Sequence, residues 1–374
     1  EPPYTIQMKD LLHRSQTQFL TGIRGYAALG VILVHCTGAF KGHNEYVDNL
    51  LNFGKYGVVA FFVLSAFSLS ISMHNTPPNT RRHLAHYFNR RFWRIFPLYA
   101  IISVIVWGGI NYSGSISTPT GASSSSMTDL LMHVSFLNAF NHKYASSIIG
   151  VEWTIQLEMM AYLFLPILYY STKKHSWKMG LFITIVLFAV GKQESLSESI
   201  LPEGQTFFNH DWSLWKYFFA FYIGTLAFNR IVATPAPLLP KKQSTLIACG
   251  LIVFLPIYGT FYPSSENLIV TLWVIGLIYA LLGVKKGPRT ILENKLILHI
   301  GKISFSVYLL HMPLYHLTMP TLEAHLHPAP AFIVFLTIVI AVSTLTYKVI
   351  EEQFMRVGEG LFQASRKASV ITTN

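Results

Sequence analysis

Gly57-Val58-Val59-Ala60-Phe61-Phe62-Val63-Leu64-Ser65-Ala66-Phe67-Ser68-Leu69-Ser70-Ile71-Ser72-Met73 carries no charged residue. It forms most of an apolar run over 54–73, and a membrane-spanning helix needs about 20 mostly apolar residues. Nine further runs of this kind follow the same reading: 19–40, 94–112, 150–170, 179–191, 212–232, 243–262, 267–284, 300–320 and 330–350. The run at 179–191 is short unless it starts at Trp177. A buried helix of a large soluble core would show a polar face, and most of these runs have none. The expected fold is all-α: a polytopic membrane protein built as a bundle of about ten transmembrane helices.

Composition agrees. Of 374 residues, 52 % are hydrophobic and only 12 % charged; soluble domains carry about 25 %. Mean hydropathy is +0.42. Disordered chains, disulfide scaffolds and nucleic-acid-binding domains are excluded. Cys36 and Cys249 stand in apolar runs and give neither a disulfide framework nor a metal-ligand spacing. No metal is expected. Residues 1–18 are polar and hold no signal-peptide core; they read as a cytoplasmic segment ahead of a 19–350 membrane domain. Residues 351–374 read as a short basic cytoplasmic tail.

The net charge of +11 is explained by where the charges stand. Lysine and arginine concentrate in cytoplasmic loops. With the N-terminus inside, 21 of the 28 fall in inside segments and four outside, at Lys41, Lys55, Lys143 and Lys192. The remaining Arg24, Lys216 and Lys348 lie in or at the ends of spans. Both termini are expected in the cytoplasm.

An ionisable residue within a span is a functional-site hypothesis. Arg24 and His35 share the first span. Eleven residues apart, they lie on one helical side, separated by roughly 16.5 Å along the axis. Gly25, Ala27, Ala28 and Gly30 between them permit close helix packing. Glu158 lies about 12 Å into the fourth span, at a depth comparable to His35. A histidine and a carboxylate make a general base with its orienting group; a structural polar bridge between helices is the competing reading. Ser65 is a weaker nucleophile candidate, since no Gly-x-Ser-x-Gly frame surrounds it. Tyr308 and His311, with Ser304 and Ser306, are candidate substrate contacts in the ninth span, although a core histidine is the plainer reading of His311. Arg90, Arg91 and Arg94, at i,i+3 and i,i+4 spacing, can share one face. Arginine forks suit phosphates; contact with anionic lipid is the alternative. Pro97 is expected to end or kink this helix.

Five runs in order resemble the membrane acyltransferase-3 family. They are Phe19-Leu20-Thr21-Gly22-Ile23-Arg24-Gly25-Tyr26-Ala27-Ala28-Leu29 with His35; Gly57–Phe67; Arg90-Arg91-Phe92-Trp93-Arg94-Ile95-Phe96-Pro97-Leu98-Tyr99; Trp153-Thr154-Ile155-Gln156-Leu157-Glu158; and Ile303-Ser304-Phe305-Ser306-Val307-Tyr308-Leu309-Leu310-His311-Met312-Pro313. The family usually has Gly where Ala66 stands and Ser where Thr154 stands. The resemblance implies a multi-pass protein of the bacterial inner membrane. It would transfer an acyl group, most commonly acetyl from acetyl-CoA, to a sugar hydroxyl of an extracytoplasmic or membrane-associated glycan such as a lipopolysaccharide O-antigen. In that reading His35, Glu158 and Arg24 are catalytic, and Arg90, Arg91 and Arg94 hold the CoA phosphates. Tyr308, His311 and Ser65 touch substrate. A covalent acyl-His35 intermediate and direct transfer both remain open. Partners would be acyl-CoA, the polysaccharide or glycolipid acceptor, membrane lipid and, where the chain does not work alone, a separate extracytoplasmic protein; nucleic acid is not one. A secondary transporter would show repeated halves and broken helices at matching positions, and neither is found.

Overall fold

The computed structural model describes residues 17–36, 44–114, 116, 124–140, 144–192, 214–233, 239–261, 267–284 and 286–371, and every regular element among them is helical. In chain order these are α1 (Gln18–Cys36), α2 (Glu45–Asn52), α3 (Gly57–Asn75), α4 (Arg81–Gly108), α5 (Met127–Val134), α6 (Trp153–Thr172), α7 (Trp177–Lys192) and α8 (Leu214–Ala233). There follow α9 (Lys241–Phe261), α10 (Asn267–Leu282), α11 (Pro288–Leu292), α12 (Lys295–Lys302), α13 (Ser304–His325), α14 (Pro328–Thr346) and α15 (Glu352–Ile371). Within the described residues the ten apolar runs are helical for most of their length.

Local chemistry sets several starts. Asn44 accepts from the amides of Tyr46 and Val47 and caps α2. Thr80 caps α4 through the amide of His83. Ser126 and Asp129 form a capping box at α5. Burial acts to raise the Asp129 carboxyl, but bonds from the Ser126 hydroxyl and amide and from Ser147 outweigh it and hold it below the usual carboxylate range.

Among the described residues, five stretches are long and apolar enough to cross a membrane: Gln18–Cys36, Glu45–Asn75, Arg81–Ser113, Lys241–Phe261 and Pro328–Gln363. A sixth results if α12 and α13, bent by 77°, count as one span; α7 and α10 are shorter apolar helices. Helix α8 is less apolar in composition, but it is buried from Phe219 to Asn229, so its neighbours are protein.

Three expectations change. Pro97 does not end a helix: α4 runs through it, so the arginine segment and the span are one rod from Arg81 to Gly108. The run at 300–320 is broken at Ile303, and the span proper begins at Ser304. Residues 352–371 of the basic tail form a helix.

The chain divides into two units. The first holds α1–α3, Phe164–Thr172 of α6, and α7–α12. Its core is a seam of α3 on α8, where Phe62 packs tilted against Phe221 at 4.8 Å and Phe67 meets Phe228 edge-on at 5.6 Å. A Cβ on Gly25 would lie 2.5 Å from the carbonyl oxygen of Ile297, so only glycine lets α12 sit on α1. The second unit holds α4, α5, Trp153–Leu163 of α6, and α13 from Phe305 through α15. Here α15 lies along the start of α4: Trp93 stacks on Phe354, His86 stacks on Phe362, and Asn89 donates to the Gly358 carbonyl at 2.8 Å.

Candidate active site

In the first unit, Arg24 is half-buried on α1, and its Nη2 donates to the Leu64 carbonyl on α3 at 3.2 Å. This bond places the guanidinium next to the backbone of Ser65, whose side chain is buried. His35 stands one residue before the end of α1 and is exposed. The sequence reading had put it about five residues inside its span; residues 37–40 lie outside the described residues.

In the second unit, α4 and α6 build an ionic cluster. Glu158 accepts a short hydrogen bond from the Tyr162 hydroxyl one turn along α6. The Tyr87 hydroxyl donates to the Tyr162 carbonyl at 3.1 Å and ties α4 to α6. Arg94 faces Glu158 and Tyr162, and also Glu351 and Tyr347. Arg91 faces Tyr162 and lies 6.0 Å from the centre of the Tyr87 ring. Its buried Nε has no hydrogen-bond partner within the protein.

Arg90 does not join them. It is exposed and faces Glu359 of α15. One residue along a helix is a rotation of about 100°, so adjacent arginines point apart. Arg91 and Arg94, three apart, share the inner face as the spacing predicts.

Tyr308 and His311 sit deep in α13. Tyr308 donates its hydroxyl to the Val151 carbonyl at 3.0 Å. The Nδ1 of His311 pairs with the Tyr308 carbonyl at 2.6 Å, and the ring is fully buried. These bonds join α13 to the segment ahead of α6.

Glu351 was missed. It closes the π-helical turn Tyr347–Glu351 and is almost wholly buried. The last apolar run was closed at residue 350, yet Glu351-Glu352 immediately after it was a visible signal. Single π-turns inside α-helices are frequent at functional sites. Among the described residues, no three His, Cys, Asp or Glu side chains converge as a metal site would require.

The family model described as an acyltransferase domain matches residues 17–348, which takes in every candidate residue except Glu351. The chain belongs to the acyltransferase-3 family. It is a multi-pass membrane acyltransferase. No curated protein and no solved structure matches it.

Proposed function

We propose that this acyltransferase moves an acetyl group from cytoplasmic acetyl-CoA to a sugar hydroxyl of a surface polysaccharide or its membrane-bound precursor. The reading is supported by one observation above the rest. Arg91 and Arg94 stand on one face of α4, a helix whose basic end belongs, by charge placement, to the cytoplasmic side, and Glu158 of α6 acts on Arg94. Arg91 keeps an unused donor there, and a guanidinium with a spare N–H suits a CoA phosphate.

The transfer balances as follows. His35 takes the proton of the acceptor hydroxyl. Its oxygen attacks the thioester carbonyl, a C–O bond forms, the C–S bond breaks, and CoA thiolate leaves and takes a proton. Arg24 steadies the carbonyl oxygen. Glu158 orients the charged groups. Transfer through an acyl-His35 follows the same balance in two steps.

Ten spans, both termini in the cytoplasm and residence in a bacterial inner membrane complete the proposal. The lysine and arginine asymmetry supports the topology. The test is mass spectrometry of surface glycans from cells with and without the gene. A mass gain of one acetyl group on a sugar is expected; identical glycans sink the reading.

A further inference from the structure

The first unit holds an apolar cavity of about 360 Å³. It runs along α1 from Ile23 to Gly30, a rise of roughly 10.5 Å, and its far walls include Pro256 of α9 and Trp273 of α10. A dry apolar cavity of about 150 Å³ already takes a benzene-sized guest, so this one has room for a chain of methylenes. The lining side chains with a polar atom are those of Tyr26, Tyr56 and Trp273. Trp273 Nε1 donates to the Leu251 carbonyl at 2.8 Å, and the Tyr26 hydroxyl to the Ile291 carbonyl at 3.4 Å. An ordered water needs two to four polar partners; walls of this composition favour hydrocarbon.

The cavity cannot close by letting its helices settle inward. A Cβ on Gly54 would lie 1.8 Å from the Gly30 carbonyl oxygen, and one on Gly57 2.6 Å from that of Ala27. Helix α1 and the chain entering α3 therefore already touch backbone to backbone. Within a bilayer, helices are held by van der Waals packing, and an empty cavity forfeits the contacts of its lining atoms. A hydrocarbon chain restores them.

Among the described lining residues, the exposed ones are Tyr26 and Ile291, so the mouth lies between them. The long bond from Tyr26 to the Ile291 carbonyl crosses it. Asn294 Nδ2 donates to the same oxygen at 2.7 Å, which keeps it paired when the tyrosine swings aside. Exposed Lys286 and Lys295 stand five residues before Ile291 and four after it. The carboxylate between them in sequence, Glu293, faces Arg289 at 3.8 Å. Charge placement puts this connection on the cytoplasmic side, where the leaflet carries anionic lipid that attracts lysine.

We propose that the cavity is a lipid site. It takes one hydrocarbon chain of an anionic phospholipid from the cytoplasmic leaflet, with Tyr26 at the mouth and Lys286 and Lys295 at the phosphate. The lipid is a bound component that fastens α9 and α10 to α1, not a substrate, so the site depends on no particular acceptor or acyl donor.

Trp273 reports on the site, because bromine on a lipid chain quenches a tryptophan that it touches. Full-length protein is reconstituted in phosphatidylcholine vesicles with increasing dibrominated phosphatidylglycerol or dibrominated phosphatidylcholine. The Trp273 signal is that of the parent less that of Trp273→Phe. The phosphatidylglycerol is expected to quench with an apparent affinity higher by roughly fivefold or more. The double variant Lys286→Gln with Lys295→Gln should lose that preference. Val270→Phe and Ile252→Phe fill the cavity from α10 and α9 and should each shield Trp273, with melting temperatures that hold or rise as cavity filling does. One stable filling variant suffices for this arm. A Trp273 signal that neither lipid quenches means a dry void, and equal quenching by the two headgroups removes the anionic lipid; either overturns the proposal. Quenching relieved by palmitoyl-CoA but not by acetyl-CoA would give the cavity to the chain of a long acyl donor and overturn it as well.

Discussion

The hydroxyl of Ser306 donates to Oε2 of Glu351 at 2.9 Å, between residues 45 apart in sequence and both buried. The bond ties α13 to the π-turn after α14. The charges of Glu351 and Glu158 both act on Arg94. With Arg91 the cluster holds two positive and two negative groups, which is the balance a buried ionic site requires.

Removing one member should unbalance it. Ser306→Ala should cost about 1 kcal/mol, the net worth of an ordinary hydrogen bond. Glu351→Gln should cost roughly 3 kcal/mol, at the lower end for a broken buried pair, because Glu158 remains beside Arg94. The double variant Arg94→Gln with Glu351→Gln should be less harmful than the sum of its parts. Thermal unfolding in detergent measures all three. A strictly additive double variant would show that Arg94 and Glu351 do not interact.

The three arginines should separate in a binding experiment. Arg91 has an unused donor on the inner face, whereas Arg90 is exposed and faces Glu359. A hydrogen bond to a charged group contributes about 1.5–3 kcal/mol. Arg91→Gln should therefore weaken acetyl-CoA binding roughly tenfold or more, and Arg90→Gln by less than about threefold. Calorimetry on the purified variants reads the difference. Equal affinities would make the arginines topology signals only.

How much of this was legible follows from length and period. The apolar runs are helical for most of their described length, because an apolar stretch of about 20 residues has few other homes. The i,i+3 and i,i+4 spacing put Arg90 on one face with Arg91 and Arg94, and the structure leaves Arg90 exposed instead. Of the two outcomes expected at Pro97, an end or a kink, the end is ruled out: a proline removes one bond and crowds one turn, which a long helix tolerates where its neighbours pack. The contacts of Glu158 with Arg94 and Tyr162 join different helices or lie one turn apart, and only the folded chain selects among such partners.

The docked helix α15 supplies another test. A Cβ on Gly358 would collide with the indole of Trp93, and Gly358 also offers its carbonyl to Asn89. Gly358→Val should push α15 off α4, lower the thermal midpoint and expose the Arg90 end of the helix to protease. Overpacking of this kind costs typically 1–3 kcal/mol. Cleavage after basic residues, compared between parent and variant, reads the outcome. A variant with parental stability and cleavage would mean that α15 is not held there.

The deepest prediction concerns proton transfer. His35 is exposed near the end of α1, the end that the proposed topology assigns to the acceptor's side of the membrane. A general base contributes about 10²–10⁴-fold. His35→Ala should therefore reduce acetyl transfer by at least that range while acetyl-CoA binding stays near normal. Glu158→Gln keeps the shape of the side chain and its bond with Tyr162 but removes the charge opposite Arg94. It should also be severely impaired, and part of its loss should appear as lowered stability, which His35→Ala should not show. Two residues that act as one unit give non-additive losses. A double variant little worse than either single one would join Glu158 to the proton-handling step. Additive losses would leave His35 as the base and return Glu158 to its arginines as the carboxylate that keeps the cluster neutral. Near-normal turnover by His35→Ala would remove the base from the mechanism.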